Sequence, residues 1–148
     1  MKINITKKEY ACLLDMLGLA DWVMHSHTVS DDERHQEHEA LIRKIYAYAS
    51  SMDAEDKIEY SKRFDDYFER DDYMEDLHEK FIDPFEEATF WDELIDRLGK
   101  QDAILQHGAD KLQKMEPMER ITKIEDAKEK YTDEFEKHGT KHLKINKN

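Results

Sequence analysis

TKKEYACLLDMLGLADWVM, residues 6–24, is the stretch on which the fold turns. Thr6 and Glu9 stand three apart in the form of a capping box, in which each residue satisfies a backbone N–H of the other at a helix start. Tyr10, Leu13, Leu14, Leu17, Ala20 and Met24 then recur at three- and four-residue steps, so they share one helix face. Cys12, Met16, Leu19, Trp22 and Val23 supply a second apolar face. A helix apolar on most sides is a buried one, so the pattern predicts a central helix over 7–27, with Gly18 marking a close helix crossing. Cys12, the one cysteine, reads as a buried inert thiol.

Working outward, Ser30 and Glu33 repeat the capping form and open a second helix over 31–51, with His38, Leu41, Ile42, Ile45, Tyr46 and Ala49 as its stripe. A link of a few residues predicts an antiparallel helical hairpin with the first. Asp53 caps a third helix that places Ile58, Phe64, Tyr67, Phe68, Met74, Leu77, Phe81 and Ile82 inward. It reaches residue 82 as one rod or as two pieces meeting near Glu69-Arg70-Asp71-Asp72. Asp83-Pro84 reads as a boundary, since aspartate suits the N-cap and proline the first helical position. A fourth helix carries Phe85, Ala88, Trp91, Leu94, Ile95 and Leu98 and ends at Gly99 or at Gln106. A fifth opens near Pro117, carries Ile121, Ile124, Ala127, Tyr131 and Phe135, and stops at Gly139 in the C′ position. Lys2-Ile3-Asn4-Ile5 and Leu143-Lys144-Ile145-Asn146 alternate apolar and polar residues, which predicts a short two-stranded pairing of the termini. The expected architecture is all-α: a single-domain bundle of four to five amphipathic helices over residues 1–148, plus that terminal pair.

Composition bounds the function. The 148 residues carry 36 acidic and 23 basic side chains, a net charge of −13. Charged residues form 40% of the chain and hydrophobic ones 39%, against about 25% and 45–50% in ordinary soluble domains. This argues against a basic nucleic-acid binder, a membrane protein and a disulfide scaffold. The longest apolar stretch, residues 11–24, is interrupted by Asp15 and Asp21 and falls short of the roughly 20 residues a span needs. No secretory signal opens the chain, so a cytoplasmic protein is expected.

Residues 53–87 hold 15 acidic and 5 basic side chains, which places 10 of the 13 excess negative charges in that segment. Asp65, Asp66, Asp71, Asp72 and Asp76 are the candidate interaction surface. They would meet a basic face of another protein, or imitate nucleic-acid phosphates toward a DNA- or RNA-binding protein. Glu59 with Arg63, Asp66 with Arg70 and Asp76 with Lys80 have the acid-before-base i, i+4 order of a solvated helix face, which favours the plainer reading.

Four of the eight histidines fall close together, and the hairpin would bring His25 and His27 near His35 and His38. With neighbouring carboxylates they form a candidate site for a transition metal such as Zn or Fe. Glu75-x-x-His78 has the spacing that aims two ligands inward from a bundle helix, but di-iron bundles use two such pairs and this chain has one. Asp15 and Asp21, on opposite sides of their helix, fit structural pairing with a residue such as Arg43 or Arg97. The chain has no Cys-x-x-Cys, no His-Glu-x-x-His, no phosphate-cradling glycine loop and no Gly-x-Ser-x-Gly. The expectation is a non-enzymatic interaction or regulatory module with a protein partner or a second copy of itself, without cofactor, membrane or direct nucleic-acid contact. Metal binding and nucleic-acid mimicry are the alternatives.

Overall fold

The structure, a computed structural model, describes residues 2–27 and 36–144. Helix accounts for 73% of it, with one small antiparallel sheet. The chain divides into two compact units, Met1–Pro84 and Phe85–Asn148.

In the first unit, α1 (Lys7–His25) begins at Thr6 as the capping box requires. The Glu9 N–H donates to Thr6 Oγ1 at 3.3 Å and the Thr6 N–H donates to Glu9 Oε2 at 2.7 Å. The Thr6 N–H, with the Thr6 hydroxyl donating to the same oxygen at 2.8 Å, holds the Glu9 carboxyl below its ordinary pKa. Next comes α2 (Gln36–Tyr46); the expected cap at Ser30 and Glu33 lies outside the described residues. The chain then tightens into a 3₁₀ turn at Ser50–Met52, so the second helix stops five residues short of its expected end. Tyr10, Leu14, Ile42, Tyr46, Ala49, Ala54, Ile58, Tyr73 and Leu77 form the core.

Three tyrosines in that core bring hydroxyls that must be satisfied once water is excluded. Tyr10 donates to the Ile45 carbonyl at 2.7 Å, Tyr46 to Glu69 Oε1 at 2.5 Å and Tyr73 to Asp15 Oδ1 at 2.9 Å. Asp15 therefore pairs with Tyr73 and with Lys57 Nζ, at 3.1 Å, and with neither expected arginine. Gly18 lies at the expected helix crossing: a Cβ there would stand 2.8 Å from Leu77 Cδ1, so an added methyl would have to displace the end of that side chain.

The third helix is corrected. Residues 58–69 form a hairpin, β1 (Ile58–Ser61) with β2 (Asp66–Glu69), pairing Ile58 with Glu69 and Tyr60 with Tyr67. The helical stripe has Ser61 and Lys62 where apolar residues are needed, whereas Tyr60 and Tyr67 make a cross-strand ring contact at 5.1 Å. Asp65 closes the four-residue loop at φ 55°, a conformation aspartate tolerates better than most side chains. Two of the three expected i, i+4 ion pairs change partner accordingly. Glu59 meets Arg70 at 3.4 Å across the hairpin and Asp66 meets Arg43 at 3.6 Å; only Asp76 with Lys80, which lies in helix, forms as expected.

Helix resumes at α3 (Asp71–Leu77), passes through a π-turn (His78–Ile82), and continues as α4 (Asp83–His107). Asp83-Pro84 is the expected boundary in that α4 opens there and the first unit ends at Pro84, but the helical backbone runs through it without a break. A proline inside a helix clashes with the carbonyl four residues back and donates nothing to it. The wide turn resolves this locally: the Asp83 N–H reaches five residues back to the His78 carbonyl.

The two-stranded pairing of the termini is also corrected. Residues 2–5 form no strand; they are exposed and, at Ile3 and Ile5, border a groove lined by Tyr10, Ile45, Tyr48 and Met52. Residues 143 and 144 are irregular, and 145 and 146 lie outside the described residues.

In the second unit, α4 runs past Gly99 to His107. Gly99 faces Lys128, whose Cα would lie 3.2 Å and Cγ 2.4 Å from an added Cβ. Gly108, at φ 83°, turns the chain into α5 (Ala109–Lys114), which the sequence reading did not anticipate. The last helix, α6 (Pro117–His138), has the expected Pro117 start and Gly139 finish. Ala103, Leu112 and Ala127 are buried with Met115 and Ile124 against them, and Phe135 packs on Trp91 at 5.5 Å.

Candidate functional site

Three features carry side chains with something left to do: the outer face of α1, the acidic edge of the first unit, and the end of α6.

Tyr10, Leu14 and Gly18 turn the inward face of α1 to the core. Its second apolar face, expected to be buried, is largely in water. Met16 and Val23 are each 66% exposed, and Ala20 and Cys12 are exposed beside them. Residues 12, 16, 20 and 23 follow helical three- and four-residue steps, so they make one stripe. Cys12 is therefore a surface thiol on an apolar face, not the buried one expected. Trp22 is half-buried, with the His78 ring edge-on at 6.1 Å.

The acidic candidates divide between the hairpin and α3. Asp65 accepts from the Tyr60 hydroxyl, Asp66 lies against Arg43, Asp72 accepts from Arg70 Nε at 3.4 Å, and Asp76 pairs with Lys80. Asp71 and Asp72 occupy the first turn of α3, where the helix dipole favours negative charge. Asp71 also borders an open cleft with Met74, Glu75, His78, Glu79 and Asp83. His78 Nδ1 lies 3.4 Å from Asp83 Oδ1, so the Glu75-x-x-His78 pair faces this cleft and not a bundle interior.

The histidines at the α1–α2 hairpin have separate surroundings. His25 Nδ1 lies 2.9 Å from the Asp21 carbonyl oxygen, and its Nε2 lies 3.2 Å from Glu39 Oε1. Burial pushes the Asp21 carboxyl up, with His25 opposing it. His27 and His38 are exposed, and His38 stands off the inward stripe of α2 that the spacing had given it. His35 lies outside the described residues. Among the described residues the hairpin gathers no three ligand atoms.

A different trio does converge. Glu134, His138 and His142 each offer one ligand atom, and these atoms lie within 4.8 Å of one another. His142 Nδ1 is 2.6 Å from Glu134 Oε1, and the His138 and His142 rings are 4.7 Å apart. Glu134 and His138 share a face of α6. Gly139, at φ 55°, then turns the chain so that His142 comes back beside them. The sequence reading singled out none of the three, although intervals of four residues are the signal that aligns ligands on one helix face. Comparisons with protein-family models, with curated proteins and with solved structures find no match to this chain.

Proposed function

We propose that this protein is a non-enzymatic helical interaction module that binds another protein through the outer face of α1. The observation that carries this reading is the apolar stripe of Cys12, Met16, Ala20 and Val23, which is exposed on the helix whose opposite side builds the core. Large apolar side chains aligned in water cost solvation that a partner's apolar helix face would recover, at roughly 25 cal/mol per Å² buried. The acidic excess over residues 53–87 suits a partner with a basic surround, the net charge of the segment supplying attraction at a distance.

Mimicry of nucleic acid is less well supported, because Asp65, Asp66, Asp72 and Asp76 are each engaged with a tyrosine, arginine or lysine of the same chain. A cytoplasmic setting goes with the exposed Cys12 thiol, which a reducing compartment would keep free. No helix among the described residues is long and apolar enough to cross a membrane.

A photo-crosslinking residue at position 16, introduced in the native host, should yield one discrete adduct. The same adduct should vanish when Val23→Glu is added, while the purified variant keeps its helicity and melting temperature. A ladder of unspecific products, or an adduct indifferent to Val23→Glu, would sink the assignment of this face. An adduct of twice the subunit mass would make the partner a second copy.

A further inference from the structure

We propose that Glu134, His138 and His142 form a binding site for one divalent transition-metal ion of the zinc type. It stands on residues apart from the α1 face and does not depend on the function proposed for that face. Two imidazoles and a carboxylate are the donor set that borderline ions such as Zn²⁺, Co²⁺ and Ni²⁺ accept, and that hard ions such as Mg²⁺ and Ca²⁺ do not favour.

The end of α6 holds these donors on a rigid footing. Phe135, next to Glu134 in the chain, is buried between Trp91 at 5.5 Å and Tyr131 at 6.1 Å, which fixes the last turns of the helix. The Gly139 N–H donates to the Phe135 carbonyl at 2.9 Å, and an added Gly139 Cβ would come within 3.9 Å of Trp91 Cη2. The returning segment is closed by the Lys141 N–H on the His138 carbonyl at 3.3 Å and the Leu143 N–H on the Thr140 carbonyl at 3.1 Å. His142 therefore reaches the site through a hydrogen-bonded turn.

A tetrahedral zinc ion holds nitrogen and oxygen ligands at about 2.0–2.2 Å. The three donor atoms already lie within 4.8 Å of one another. The 2.6 Å contact between His142 and Glu134 is the bond the ion would replace with two stronger ones. Carbonyls at the C-terminal end of a helix also favour positive charge nearby. Lys137 and Lys141 are the cations next to the two histidines in the chain, and the Lys137 ammonium is drawn to Asp133 at 3.4 Å. Three protein ligands leave a fourth position for water or for a partner's side chain.

The test uses the untagged full-length chain. Zn²⁺ titrated calorimetrically should bind with one-to-one stoichiometry, and Co²⁺ in its place should give the visible absorption of a low-symmetry site, displaced by Zn²⁺. His138→Ala with His142→Ala, both at exposed positions, should weaken binding by at least about tenfold, the scale at which even outer-shell losses are felt. His25→Ala with His38→Ala should leave it unchanged. Saturable binding that survives the first pair of substitutions, that is lost with the second, or that is absent from the wild-type chain would each overturn the proposal.

Discussion

The two units of this chain solve the same problem with different means. Residues 1–84 hold a cluster of nine buried side chains, three of them tyrosines anchored through their hydroxyls, drawn from three helices, the first hairpin strand and the turn before it. Residues 85–148 bury a cluster of two alanines and a leucine and rely on close backbone approach and on ion pairs along α4 and α6. The first unit encloses the larger apolar cluster; the second adds close helix approach, interhelical ion pairs and the Phe135–Trp91 contact to a smaller one. A chain with 40% charged residues can fold either way, and this one does both.

The largest expected contrast comes from cavities. Leu14 is fully buried, and Leu14→Ala should cost about 3–4 kcal/mol, the middle of the range for buried leucines. Leu112→Ala, in the thinner core, should cost about 2 kcal/mol, since fewer neighbours lose contact and the site can collapse. Denaturant unfolding, followed by amide exchange of each unit, would show it. Equal costs would break the distinction between a thick and a thin core.

Glycine substitutions should sharpen it. Alanine is favoured over glycine in a helix interior by about 1 kcal/mol. At Gly18 the obstacle to a Cβ is Leu77 Cδ1, the far end of a side chain that can rotate, so Gly18→Ala should be close to neutral. At Gly99 the Lys128 Cα stands at 3.2 Å, and backbone cannot step aside, so Gly99→Ala should cost about 1 kcal/mol net. Thermal melts of both variants would decide whether α4 and α6 depend on closeness as described.

The smallest effect is in the acid range, and its sign differs between the units. Burial raises the Asp21 carboxyl above the usual 3.8, so the folded first unit prefers it protonated and gains stability as pH falls through the window above 3.8. Lys100 and Lys128 lower Asp96, and Lys130 and Tyr131 lower Asp102; their contributions are present above pH 3.8 and are lost as pH falls below it. Asp21→Asn should therefore leave the melting temperature at pH 7 unchanged or raised, and Asp102→Asn should lower it. Equal melting temperatures would show that solvent screening has erased the difference, and the reverse order would overturn it.

What could be read in advance follows the same division of causes. The start of α1, the crossing at Gly18 and both ends of α6 were legible because a cap, a glycine and a proline act within one turn. The hairpin was not: Ile58, Phe64, Tyr67 and Phe68 can be fitted to a helix, and the polar gap at Ser61 and Lys62 becomes decisive only together with the Tyr60–Tyr67 contact across the strands. The exposed side of α1 was missed because apolar spacing shows which residues share a face and is silent on whether anything covers it. The grouping of His142 with Glu134 and His138 depends on the path taken after Gly139, which no helical repeat encodes.

The anchored tyrosines give the first unit an optical property. Burial pushes the Tyr10 hydroxyl up to about 12, and Tyr46 and Tyr73 are raised further by burial and by their carboxylate acceptors. In mild alkali these three phenols stay protonated while the fold holds, and each is released to ionise near its ordinary value of 10 when the fold opens. Phenolate absorbance in the near ultraviolet then rises in step with opening, so an alkaline jump turns the unlabelled protein into its own clock for core exposure.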